Sequence, residues 1–201
     1  FFFIYKNMKL TIALLSIFLL SSIAFNTSPD TKYDWEDHTD GEDLSVSLSN
    51  EPAIIFVVFF SKKVEGDDEL SKANDSLRNM LTNDLKDHNE IIYTEVDLSD
   101  DAEQLESYQK LAKDDMGIDL TLLDKGPIVA VMNRGDGSWI HGQGKVVADD
   151  PAWGPGRDSF EEVLDSVETF IDEARDRKQG GTGIVKDSRY ARRQGEISLG
   201  N

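Results

Sequence analysis

A continuous apolar run, Ala53 to Phe60 (AIIFVVFF), stands between the turn residues Asn50-Glu51-Pro52 and the polar Ser61-Lys62-Lys63. β-Branched and aromatic residues dominate it, so it reads as a central strand buried on both faces. Ahead of it, Leu44, Val46 and Leu48 alternate with serines, the period of a short half-buried strand. Behind it, Leu70, Ala73, Leu77, Met80, Leu81 and Leu85 recur at helical spacing and predict a helix from Glu69 to Asp87. Ile91 to Val96 predicts the next strand. Leu105, Tyr108, Leu111 and Ala112 give an inward face to a helix over Ala102–Asp115, closed by Gly117.

The second half continues the alternation. Ile118 to Leu123 lead to Lys125-Gly126-Pro127, and a strand over Ile128–Met132 follows at once. Asn133 to Gly137, ending in Asp136-Gly137, predicts a hairpin turn, with Ser138–His141 as the return strand. Gly142 and Gly144 interrupt that strand, and a longer loop over 145–158 carries Trp153. Ser159, with Glu162 at the reciprocal position, predicts the start of a last helix. Phe160, Val163, Leu164, Val167, Phe170 and Ile171 form its inward face. From Lys178 the periodicity stops. A basic tail with Lys186, Arg189, Arg192 and Arg193 is expected to be mobile, for want of apolar residues to bury.

The N-terminal stretch has the pattern of a secretory leader. Lys9 follows Met8, Leu10 to Leu20 is apolar, and Ser22-Ile23-Ala24 offers small residues to a signal peptidase. Cleavage is expected after Ala24, the alternative being an uncleaved anchor. Four parts follow: 1–24, upstream residues and leader with the start at Met8; 25–43, an acidic arm; 44–177, the folded domain; and 178–201, the basic tail. After cleavage no stable membrane insertion is expected. The compartment is the secretory pathway or an exported space: endoplasmic reticulum lumen, extracellular medium or bacterial periplasm.

Charge narrows the partners. Among 201 residues, 39 are acidic and 21 basic, for a net charge of −18. Such a chain repels nucleic-acid phosphates and anionic lipid surfaces and favours basic partners, divalent cations or simply solubility, the last being the commonest reason for such a charge. The acidic clusters do not follow the EF-hand pattern, so calcium binding, if any, is weak. His38, His88 and His141 lack the spacing of a shared metal site, and His141, beside Trp139, is read as a strand-surface residue. No cofactor is expected. Neither a phosphate-binding glycine loop nor a Gly-x-Ser-x-Gly elbow is present. Asn26-Thr27-Ser28 and Asn74-Asp75-Ser76 fit the glycosylation acceptor pattern.

Strand, helix, strand, helix, Gly-Pro, strand, hairpin, strand, helix is an order that resembles the thioredoxin-like superfamily. PAIIFVVFFSKK resembles its first core strand and active-site loop, and IIYTEVDLSD its second core strand. GIDLTLLDKGPIVAVMNRGDGSWIHGQG resembles the segment with the cis-proline, hairpin and glycine, and the likeness covers about residues 44–175. It implies an α/β fold with a central mixed β-sheet flanked by helices on both faces. Val64 and Asp67 stand where the family's two reactive cysteines would be, and Val58 near its buried acid. The chain contains no cysteine, so no thiolate is available for disulfide exchange. The resemblance therefore implies a redox-inactive protein that is not a thiol–disulfide oxidoreductase, and it leaves other activity open. A cis-proline groove at Gly126-Pro127, lined also by Gly142 (or Gly144), Val64 and Asp67, would hold an extended protein or peptide segment. Pro127 could equally serve the fold alone. The alternatives are a structural subunit of an exported assembly, contacting through the Trp153 loop or the tail, and a low-affinity calcium-binding protein.

Overall fold

The structure is a computed structural model, and it describes residues 34–35, 38–86, 88–142 and 159–200. The expected leader, the Asn26 sequon and the Trp153 loop lie outside the described residues.

Among the described residues, six strands form one mixed sheet. They are β1 (Asp34–Trp35), β2 (Ile55–Ser61), β3 (Ile91–Asp97), β4 (Ile128–Asn133), β5 (Asp136–His141) and β6 (Gly195–Ser198), in the order β1-β3-β2-β4-β5-β6. β3 runs parallel to both β1 and β2, whereas β2–β4, β4–β5 and β5–β6 are antiparallel. The helices are α1 (Gly41–Asn50), α2 (Asp68–Leu85), α3 (Leu105–Lys110) and α4 (Ser159–Lys178). α3 runs on into a π-helical turn over Leu111–Asp115, and Leu120–Asp124 is a 3-10 helix.

Every residue of β2 is buried, and its period of two divides them between two cores. Phe56, Val58 and Phe60 pack on one face with Leu44 and Leu48 of α1, Tyr108 of α3 and Leu123. Ile55, Val57 and Phe59 pack on the other with Leu77, Leu81 and Leu85 of α2 and Phe170 and Ile171 of α4. Helices on both faces explain why the run is apolar without interruption. Val58, which the resemblance sets near a buried acid, is a fully buried core residue.

Residues 44–48, expected as a strand, lie in α1. Leu44 and Leu48 are four apart, share one helical face and are fully buried, while Val46 points outward at 54 % exposure. The decisive local signal is Asp40. Its carboxylate accepts from the amides of Glu42 and Asp43, both at 2.9 Å, and caps the helix. Gly41 is required here, because a Cβ would run into the backbone carbonyl of Ser107.

The hairpin turn is tighter than expected. Arg134 and Gly135 carry positive φ angles of 57° and 78°, and Asp136 and Gly137 already belong to β5. A two-residue turn of this hand matches the twist of the flanking strands.

The basic tail is the largest correction. Gly195–Ser198 forms β6 on β5, Trp139 pairing with Gly195 and Asp136 with Ser198. The preceding arginines clasp α4. Arg193 donates to Glu173 at 2.6 Å, a carboxylate only 2 % exposed, and its guanidinium stacks over Phe170. Arg192 donates to Glu162 at 3.1 Å, and its amide donates to Ser166. Glu162 and Glu173 lie about three helical turns apart on one face of α4, which gives the tail's charges fixed partners.

Candidate functional site

The residues singled out from sequence lie toward one end of the sheet. β2 leaves the core there at Ser61, and a tight turn follows in which the amide of Asp67 donates to the carbonyl of Val64 at 3.0 Å. Gly66, at φ 81°, permits that turn. Asp67 caps α2, accepting from the amide of Leu70 at 3.0 Å. In register, Phe60 pairs with Ile128 and Ile128 with His141. Pro127 therefore sits one step beyond Phe60's partner, and its carbonyl accepts from the amide of Gly142 at 2.9 Å.

Two features differ from expectation. No cis peptide bond occurs among the described residues, so the Gly126–Pro127 bond is trans and the expected cis-proline groove is absent in that form. The trans isomer is favoured by about 0.5–1 kcal/mol for a bond before proline, and in it the Pro127 carbonyl adds a rung to the β4–β5 ladder. Gly126, Pro127 and Gly142 are also buried, Asp67 is half-buried, and Val64 is the exposed member at 38 %. A Cβ on Gly142 would lie 3.0 Å from Leu77 and 3.3 Å from Phe160, so a larger residue there requires those side chains to shift by a few tenths of an ångström.

Polar groups frame this end. Lys62 bridges Asp124 at 3.3 Å and Asp100 at 3.6 Å. Its hydrogen bond to Asp124, with the charges of both carboxylates, holds the ammonium pKa above the usual lysine value despite partial desolvation. Lys63 donates its amide to Ser99 at 2.8 Å. Asp119 accepts from the hydroxyl and amide of Thr121, which lower its pKa. Asn74, in the second turn of α2, is 4 % exposed. It donates to the carbonyl of Lys62 at 3.0 Å, while its own amide oxygen has no hydrogen-bond partner. The Asn74 sequon is thus folded into the protein, its nitrogen already engaged.

His141, expected on the strand surface, is buried at 5 % exposure. Neither ring nitrogen completes a hydrogen bond, although the carbonyls of Leu122 and Gly126 face the ring. Burial pushes its pKa below the ordinary imidazole value, those carbonyls offset part of the effect, and Lys125 and Arg192 add to it. The clue in the sequence was Trp139. Residues two apart on a strand share a face, and Trp139 packs into the core.

Among the described residues no group of three His, Asp or Glu side chains is placed to hold a metal ion, and no helix is long and apolar enough to cross a membrane. Two open hollows, of 590 Å³ along α3 and 440 Å³ between α4 and the C-terminal segment, are lined by none of Val64, Asp67, Gly126, Pro127 and Gly142. What this end presents at the surface is one aliphatic side chain, Val64, with flanking charge, since Gly126, Pro127 and Gly142 are buried. Comparison with known protein families, characterised proteins and solved structures yields no match to this chain.

Proposed function

We propose that this chain is an exported, redox-inactive, non-enzymatic protein of the thioredoxin-like class that binds a partner polypeptide at the end of the sheet carrying Val64. The observation that carries the reading is placement. Val64 and Asp67, on the turn after β2, stand at the same end of the sheet as Gly126 and Pro127, just before β4, and Gly142, just after β5. The strand order, with β2 between parallel β3 and antiparallel β4, supports the class. Binding would rest on backbone pairing and local charge, with no covalent intermediate. The net charge of −18 favours a basic partner.

The test is the affinity of a partner purified on the full chain, for wild type, Val64→Arg and Pro127→Ala. Val64→Arg is expected to weaken binding by about tenfold or more, as loss of an interface anchor does. Equal binding by all three folded proteins would remove the site. A second reading, a structural subunit, is favoured by Ile184 and Tyr190, which stand 75 % and 57 % exposed on the C-terminal segment. Under it, Ile184→Asp would abolish a stoichiometric complex that Val64→Arg leaves intact.

A further inference from the structure

His141 lies at the junction of the proposed site and the segment beside it. It is the last residue of β5, next to Gly142 and opposite Ile128. Its side chain shares the sheet face of Trp139, the face on which Leu123 packs. The charged groups facing it are Asp119 and Lys125 from the segment around the 3-10 helix and Arg192 from the C-terminal segment. Its own amide donates to the side chain of Gln194 at 2.6 Å.

We propose that His141 is an acid-sensitive latch on the Asp119–Gly126 segment, whose opening uncovers the Gly126–Pro127 backbone for a partner strand. The partner strand in this inference rests on the reading of the Val64 end as a binding site. A neutral imidazole can sit among apolar neighbours. Imidazolium carries two N–H donors, and both need acceptors or water. Neither ring nitrogen closes a hydrogen bond, the nearby carbonyls of Leu122 and Gly126 offset only part of what burial costs the charged ring, and Lys125 and Arg192 repel the added charge.

The strand is held from both sides, by β4 and β6. The facing segment is a single five-residue 3-10 helix, tied outward by the Lys62–Asp124 bridge and anchored inward by Leu123. The segment is therefore the part that yields, and local opening is the cheapest way to hydrate the charged ring.

Hydrogen–deuterium exchange on the free full chain tests this, at about pH 7.5 and about pH 5.5, with rates corrected for intrinsic exchange. Amides of 119–126 are expected to exchange several-fold faster at the lower pH while those of β4 do not change, and His141→Leu is expected to remove the difference. An unchanged rate in wild type, or the same acceleration in His141→Leu, would overturn the latch. Should the variant fail to fold, the wild-type proton spectrum decides. The His141 ring and the Gly126 amide must titrate with one midpoint, and unlinked titrations refute the proposal. No partner enters these measurements, so their failure and that of the binding site are separable.

Discussion

The C-terminal clasp and the Val64 end of the sheet differ in how their most buried polar side chains are met, although Arg177 Nε on the clasp side is also buried without a partner. In the clasp, Glu173 is almost fully buried and answered by Arg193, while Ser166, also buried, donates to the Glu162 carbonyl and accepts from the Arg192 amide. At the Val64 end, the amide oxygen of Asn74 and both ring nitrogens of His141 are buried without hydrogen-bond partners. Pairing of this kind fixes a segment in one position. Unmet polar capacity leaves a segment that a proton or a partner can still change. On the proposed reading, the difference separates a part that completes the fold from a part that responds.

The largest effect should come from breaking the clasp. Arg193→Ala leaves Glu173 buried and unanswered, and a stability loss of about 3 kcal/mol is expected in urea unfolding, near the low end for severed buried pairs because the arginine is partly exposed. Replacing both partners with leucine should recover much of that loss. A cost for Arg193→Ala below about 0.5 kcal/mol, the range of ordinary surface changes, would erase the contrast.

At the other end, Asp67→Ala removes the cap of α2 and should cost about 1 kcal/mol by the same measurement, with Asp67→Asn nearly neutral. A smaller and pH-dependent change is expected at His141. Its folded-state pKa lies below the ordinary value of 6.5. As the pH falls through 6.5, the unfolded chain takes up a proton that the folded protein refuses, so stability is lost until the lower folded value is reached. His141→Leu should show a shallower decline than wild type over that window, and parallel curves would place the imidazole outside the balance. The smallest effect belongs to Val64→Arg, whose stability should stay within about 0.5 kcal/mol of wild type, since the side chain already meets solvent.

The core was legible in the sequence because its signals are redundant. Ala53–Phe60 could only be a strand covered on both faces, and the spacing of Leu77, Leu81 and Leu85 matched the helix that covers one of them. Leu44–Leu48 misled because leucines four apart fit a strand and a helix alike. The arbiter was the Asp40 cap, outside the apolar pattern. The tail misled for a different reason. Arg192 and Arg193 look unpaired in sequence, since their carboxylates stand on α4, 30 and 20 residues away. At the candidate site, the meeting of Gly126-Pro127 with Gly142 followed from the hairpin. The burial of His141 and the trans proline did not, because both depend on how the segment before β4 folds back on the sheet.

Site-specific crosslinking tests the central claim most directly. A photoreactive residue is placed at Val64 in one protein and at Val46 in another, both being exposed aliphatic positions on the same domain. The account predicts that a partner which co-purifies with the full chain crosslinks through position 64 and not through position 46. Crosslinking at 46 alone, or equally at both, would contradict it.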